Sequence, residues 1–340
     1  MSPRPVLSPL LIGLAAAFSA TAVWAAPRTP MSDSEVLERV PARASDPAAR
    51  EMQALRQAWR AQPQDLDTAT RLAWRYQQEV AATGDPRYMG SIQAALAPWW
   101  ALPDPPPEVR VLRAVVLQFD PRFDPALADL AAVLRDEPDR ADALAWQLAI
   151  RLVQADYAGA RASCEALAPL ASPLIAAACR AQVDAATGQA TAAAAALRGA
   201  LQRERGANAA ERLWSLTRLA EIEERRGDFS AAEAAFNEAE GLGLTDVYLQ
   251  AAHADFLLDR GRAADVLKLL KDRGRADVLL LRLALAAQTM KDSKAAGFAP
   301  RTLRPLRRRT LAWRHQPPQG RSPRHAGTAP GRRPRLAAGP

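Results

Sequence analysis

Histidine, cysteine and aromatic residues are all scarce in this chain. Of 340 residues three are histidine and two are cysteine, and aromatics make up 6%. Before the C-terminal stretch only His253 remains, set between alanines on a helical segment. It reads as a packed or partly exposed side chain rather than a metal ligand or a catalytic base. Nucleotide, zinc-protease and serine-hydrolase signatures are missing too: there is no P-loop, no H-E-x-x-H and no G-x-S-x-G, and GLGLTD near Gly241 does not fit a dinucleotide loop. These absences give no support to an enzyme, and no cofactor or metal is expected. So few aromatics also speak against a β-rich fold. Lysine occurs only at Lys268, Lys271, Lys291 and Lys294 while arginine is abundant, a bias expected of a GC-rich bacterial genome.

What the chain has is alanine, arginine and an uneven distribution of charge. Hydrophobic residues make up 49% and suit close helix-on-helix contact. The net charge of +8 suggests a nucleic-acid binder until it is located. Residues 295–340 hold 11 arginines and no acidic residue, which leaves about −3 for residues 1–294. The body is mildly acidic and no nucleic-acid partner is expected for it. At the other end, Arg4, the apolar run Leu10–Ala22 and the small-x-small pattern Val23-Trp24-Ala25 read as a secretory signal peptide over residues 1–25. That run is short for a spanning helix, so no stable membrane span is expected after cleavage. The reading places the mature protein in the periplasm or outside the cell. Residues 26–47, punctuated by four prolines, form a polar leader.

From Ala48 the sequence turns helical, and self-similarity organises it. Two helical hairpins over 213–270 repeat at a spacing of 34 residues, with turn glycines at Gly227 and Gly261. Ala220, Gly227, Ala232, Phe236 and Ala239 occupy the small, turn, small, bulky and small places of such a unit. Earlier units are less regular: one runs from Leu66 through a long first helix to about Thr83 and a partner helix over Arg87–Pro98, and others start at Pro107, Ala141 and Leu174. About six hairpins are expected over residues 48–290. The pattern resembles the tetratricopeptide repeat (TPR) family. That resemblance implies an all-α, right-handed α-α superhelix, a solenoid that binds protein or peptide partners along the concave face of its first helices. Carried over by repeat position, the face would include Asp67, Thr70, Trp74, Gln77 and Gln78. Later units would add Trp214, Thr217, Glu221, Glu224, Arg225, Tyr248, Asp255 and Asp259. Glu221, Glu223 and Glu224 with Arg225 and Arg226 also read simply as a solvated, salt-bridged helix face. The tryptophans equally suit gap-filling between repeats.

Cys164 and Cys179 fall in neighbouring antiparallel helices on either side of the turn near Pro169–Pro173. Each lies about 10 Å back along its helix at 1.5 Å per residue, which sets the thiols opposite one another. In an exported protein that placement reads as a disulfide; two buried thiols are the other reading. After Met290 the next repeat lacks its second helix, and the leucines Leu279, Leu280, Leu283 and Leu285 have nothing downstream to cover them. Residues 291–340 are rich in arginine and proline instead. They read as a disordered polybasic arm, or as an out-of-frame translation, which the abrupt switch within a repeat favours. The function expected from all this is a non-enzymatic periplasmic scaffold or adaptor. The alternative is an envelope-associated factor that binds anionic polymer or glycan through the groove and the basic tail.

Overall fold

The computed structural model describes residues 47–274 and 276–290, together with Ser32. The expected signal peptide, the leader apart from Ser32 and Pro47, and the tail over 291–340 lie outside the described residues. The chain divides into two units, Met1–Arg50 and Glu51–Pro340, and the architecture below belongs to the second.

The described residues form an all-α solenoid of fifteen helices. A lone helix, α1 (Pro47–Ala61), precedes six hairpins. These are α2 (Leu66–Thr83) with α3 (Arg87–Ala95) and the short α4 (Ala97–Trp100), α5 (Pro107–Phe119) with α6 (Phe123–Asp136), and α7 (Ala141–Val153) with α8 (Tyr157–Leu167). There follow α9 (Pro173–Ala186) with α10 (Ala190–Arg203), α11 (Ala209–Arg225) with α12 (Phe229–Gly241), and α13 (Val247–Asp259) with α14 (Ala263–Leu269). Helix α15 (Asp277–Met290) packs on the last pair.

Local chemistry sets these boundaries. Asp65, Asp156, Ser172, Asn208, Asp228 and Asp246 each accept a hydrogen bond from a backbone N–H in the first turn of the helix they precede. Such caps satisfy donors that have no partner within the helix. Gly227 turns the chain at φ 82°, in the left-handed region where a side chain is strained. The partner helix expected over Arg87–Pro98 is broken at Leu96. Pro98 has no N–H to continue the ladder, and it sits instead in the first turn of α4. In the FDPRFDP segment Asp120–Arg122 makes the turn, and Pro125 falls within the first turn of α6, where its missing N–H costs nothing.

The repeat positions are filled as their chemistry requires. Ala220, Ala232, Phe236 and Ala239 are all fully buried in the largest core cluster, which runs from α9 to α15. The alanines allow close approach of the helices, and the Phe236 ring fills the space between them. Phe236 stacks on His253 at 4.9 Å and tilts against Phe256 at 5.5 Å. His253 is accordingly a core residue, as expected. Burial depresses its pKa to about 4.

Two further readings need correction. Glu223 does not lie on a solvated face: it is 0% exposed and paired with Arg198 and with Arg226, the latter at 2.5 Å. The burial of that carboxylate is matched by two guanidinium groups. Of the four leucines thought to be uncovered, Leu279 and Leu283 are buried against the preceding repeat. The exposed stripe on α15 is Val278, Leu281, Leu285 and Met290. No described helix is long and apolar enough to cross a membrane.

The cysteines meet as their placement implied. Cys164 of α8 and Cys179 of α9 are paired, with Cα atoms 5.9 Å apart, inside the span a disulfide bridges.

Candidate functional site

The first helices of successive hairpins face one another across an inner cleft. One part, about 800 Å³, is walled by Leu152 and Val153 of α7, Tyr157, Gln182 of α9, and Arg218, Glu221 and Arg225 of α11. A second part, about 610 Å³, continues from it past Glu224 and Tyr248 to Val80, Ala81 and Gly84 at the end of α2. The parts share Glu221, Glu224 and Tyr248 and so form one groove. Its walls come from α2, α5, α7, α9, α11, α13 and α15, with Tyr157 at the start of α8.

The groove closes on itself at Gly84. This glycine caps α2 at φ 66°, and its N–H donates to the Val80 carbonyl oxygen at 2.8 Å. A Cβ placed there would lie 3.0 Å from Val247 Cγ1 and 3.2 Å from Ala276 Cβ. The first hairpin therefore touches the sixth, and only a residue without a side chain fits at the meeting point.

Five of the thirteen expected face residues are gathered here: Glu221, Glu224, Arg225, Tyr248 and Asp255. Tyr248 is 54% exposed, lies under the Arg218 guanidinium at 4.4 Å, and donates its hydroxyl to Glu221 at 2.5 Å. Arg218 in turn pairs with Glu221 at 3.0 Å. Burial pushes the Tyr248 phenol above its ordinary pKa. Asp255 pairs with Arg282 of α15. The Glu224 carboxylate has no ion-pair or hydrogen-bond partner among the described residues. Its pKa is raised first by burial and then by the Asp259 carboxylate, with Glu221 and Asp255 adding to the effect and Arg260 opposing it. Arg225 is exposed in the wider part of the groove.

Other expected residues lie elsewhere. Thr217 is buried and donates its hydroxyl to the Leu213 carbonyl oxygen at 2.7 Å. Thr70 behaves alike, donating to the Leu66 carbonyl oxygen at 2.8 Å. In both cases the hydroxyl is spent on its own helix and is not offered to a ligand. Trp74 packs between two neighbouring core clusters and Trp214 against a third, so both fill gaps between repeats. Asp67 and Gln78 are exposed on α2, and Gln77 is half-buried there. None of the three lines the groove. Sequence reasoning missed Val80 and Ala81, which reach the groove because the first hairpin meets the sixth, and also Phe119 and, on the neighbouring α15, Val278 and Arg282. Among the described residues, no group of His, Cys, Asp and Glu side chains is placed to hold a metal ion.

Fold and groove together define a TPR-like helical repeat protein. Three solved structures are similar to it. A tetratricopeptide repeat protein from Parabacteroides merdae is 12% identical, covering 75% of this chain and 92% of its own, with a TM-score of 0.47. Yeast Tom70 is 12% identical over 78% of this chain and 57% of its own, with a TM-score of 0.53. The human IFIT1 dimer, solved with m7Gppp-AAAA, is 13% identical over 78% of this chain and 63% of its own, with a TM-score of 0.42. No family model and no curated protein matches the sequence.

Proposed function

We propose that this protein is an exported, non-catalytic scaffold that holds a protein or peptide partner in its inner groove. The observation that carries the reading is the groove itself. Seven helices turn towards it, and it presents an exposed tyrosine, a free arginine and an unpaired carboxylate around an apolar floor. Aromatic and arginine side chains in a preformed cleft are the usual anchors of a protein interface. The groove is also long enough to follow a chain rather than a point-like substrate. Export rests on the sequence of residues 1–25, and the intact mass of the secreted protein, expected to begin at Ala26, tests it.

The binding test compares the immobilised full chain with a variant carrying Tyr248→Ala, Glu221→Gln and Arg225→Ala. Envelope proteins retained by the first and lost by the second, with little dependence on salt, are the expected outcome. Equal retention by both would remove the groove from the function. Binding that collapses between low and physiological salt would favour capture of an anionic polymer through exposed arginines.

A further inference from the structure

The narrow end of the groove, where the first hairpin meets the sixth, carries chemistry that the wide end lacks. Its walls are apolar and come from both ends of the solenoid: Val80 and Ala81 on α2, Val247 and Ala251 on α13. Phe119, at the end of α5, stands 47% exposed at its edge. An aromatic ring left half in water beside an apolar slot is an unfilled contact. On the same slot sits Glu224, with no direct cationic partner among the described residues. Of the other acidic groups around it, Asp259 likewise has no ion-pair partner among the described residues, and the rest are engaged. Glu221 is held by Arg218 and Tyr248, Asp255 by Arg282, and Asp246 caps α13. Arg260, whose charge acts on Glu224 from a distance, lies over the Phe229 ring at 3.5 Å.

We infer that this seam is a two-walled recognition pocket for an extended protein segment with a lysine or arginine beside an apolar side chain. The apolar side chain enters between α2 and α13, and the cation meets Glu224. The inference rests on the peptide-binding reading above and names its occupant. Three features select that chemistry. The slot narrows to contact at Gly84, whereas a helix with its side chains is about 10 Å across, so a single extended strand fits and a helix does not. A cation relieves the crowding of Glu224 by Asp259, Glu221 and Asp255, while an anionic segment adds to it. Finally, the facing side chains Val80, Ala81, Val247 and Ala251 are all apolar, so an apolar side chain suits the space between them.

Fluorescence anisotropy on the full-length chain provides the test. The probes are three dye-labelled peptides of equal length: leucine and lysine alternating with serine, the same with glycine for leucine, and the same with glutamate for lysine. A pool of mixed-sequence peptides is the fourth arm. The leucine–lysine peptide is expected to bind at least about tenfold more tightly than the other two, a difference near 1.4 kcal/mol. Glu224→Gln, which preserves shape, should shrink that preference to about threefold or less. Ala81→Trp, at an exposed position, should plug the slot and remove tight binding, with helicity checked by circular dichroism. Binding left unchanged by both variants would overturn the pocket, as would preference for the glutamate peptide. Binding of the mixed pool without the leucine–lysine preference would overturn this inference and leave the peptide-binding reading standing. If no arm binds, both fall.

Discussion

The hairpins over residues 209–269 and those over 66–136 solve the same packing problem with different materials. In the later region small residues set the helix spacing, with Ala220, Ala232 and Ala239 fully buried around the Phe236 ring. In the earlier region buried alanines at Ala69, Ala73, Ala114 and Ala126 are joined by large amphipathic rings. Trp74, Tyr88, Trp99 and Trp100, with Trp59 of the preceding α1, are each only partly buried against the core there. Polar ties supplement them. Trp59 Nε1 donates to the Ala95 carbonyl oxygen at 3.2 Å, and Arg113 holds the buried Asp129 through two hydrogen bonds of 2.6 and 2.7 Å. Arg113 also donates to the Trp100 carbonyl oxygen at 2.8 Å, fixing the broken α3–α4 segment. The later region carries directional ties as well, the buried Glu223 held by Arg198 and Arg226 among them, but its helix spacing is set by the buried alanines. Where spacing is irregular, directional bonds do part of that work, because they tolerate a gap that close packing does not.

The contrast makes the later region depend on single core side chains. Phe236→Ala is expected to cost about 3–5 kcal/mol in urea denaturation, the largest effect of any single change named here. A loss below about 1 kcal/mol would mean the alanines do not hold the spacing.

The same region should also be the acid-sensitive one. His253 is neutral in the fold, with a pKa near 4 against an ordinary 6.5, so its contribution is present above pH 6.5. It is lost as pH falls towards 4, by up to about 3 kcal/mol, because the unfolded chain takes up the proton first. His253→Phe, stacked on Phe236, should flatten that part of the stability–pH curve. An unchanged curve would place the acid sensitivity elsewhere.

In the early region Asp129→Ala leaves Arg113 and Arg110 without their shared buried partner. A loss of about 2–3 kcal/mol is expected, discounted for the partial exposure of both arginines. If Phe236→Ala and Asp129→Ala prove equally damaging, the comparison weakens.

Between the two regions, reducing the Cys164–Cys179 bridge closes the list. The sequence separation is 15 residues and both helices are already ordered, so about 2 kcal/mol is expected. Thiol labelling of the unfolded, unreduced protein should find no free cysteine; two reactive thiols per chain would mean no bridge.

The parts of the fold that were legible in the sequence are those fixed by local spacing. Gly227 and Ala220 announce themselves at 34-residue intervals, and the cysteines are placed by counting along two helices from one turn. Thr217 and Glu223 were misjudged because which side of α11 faces water depends on α10 and on Arg198, a partner 25 residues away. Position within a repeat identified the Tyr248 and Glu224 side of the groove. It had no means of finding Val80 or Phe119, since superhelical closure is the accumulated result of small rotations at every hairpin. A period read from sequence gives the step and leaves the pitch open.

Gly84 has a bearing on how the chain folds as well as on what it holds. An open repeat array unfolds piecemeal, because each unit touches only its neighbours and a frayed end leaves the rest intact. Contact between residues 84 and 247 links the first hairpin to the sixth. Closing that contact requires a long loop of chain to be ordered first, an entropic delay that neighbour-only arrays escape. Once closed, neither end can peel away without breaking the other's packing. The native state should therefore melt as one cooperative body and form late, with the seam as the final step of assembly.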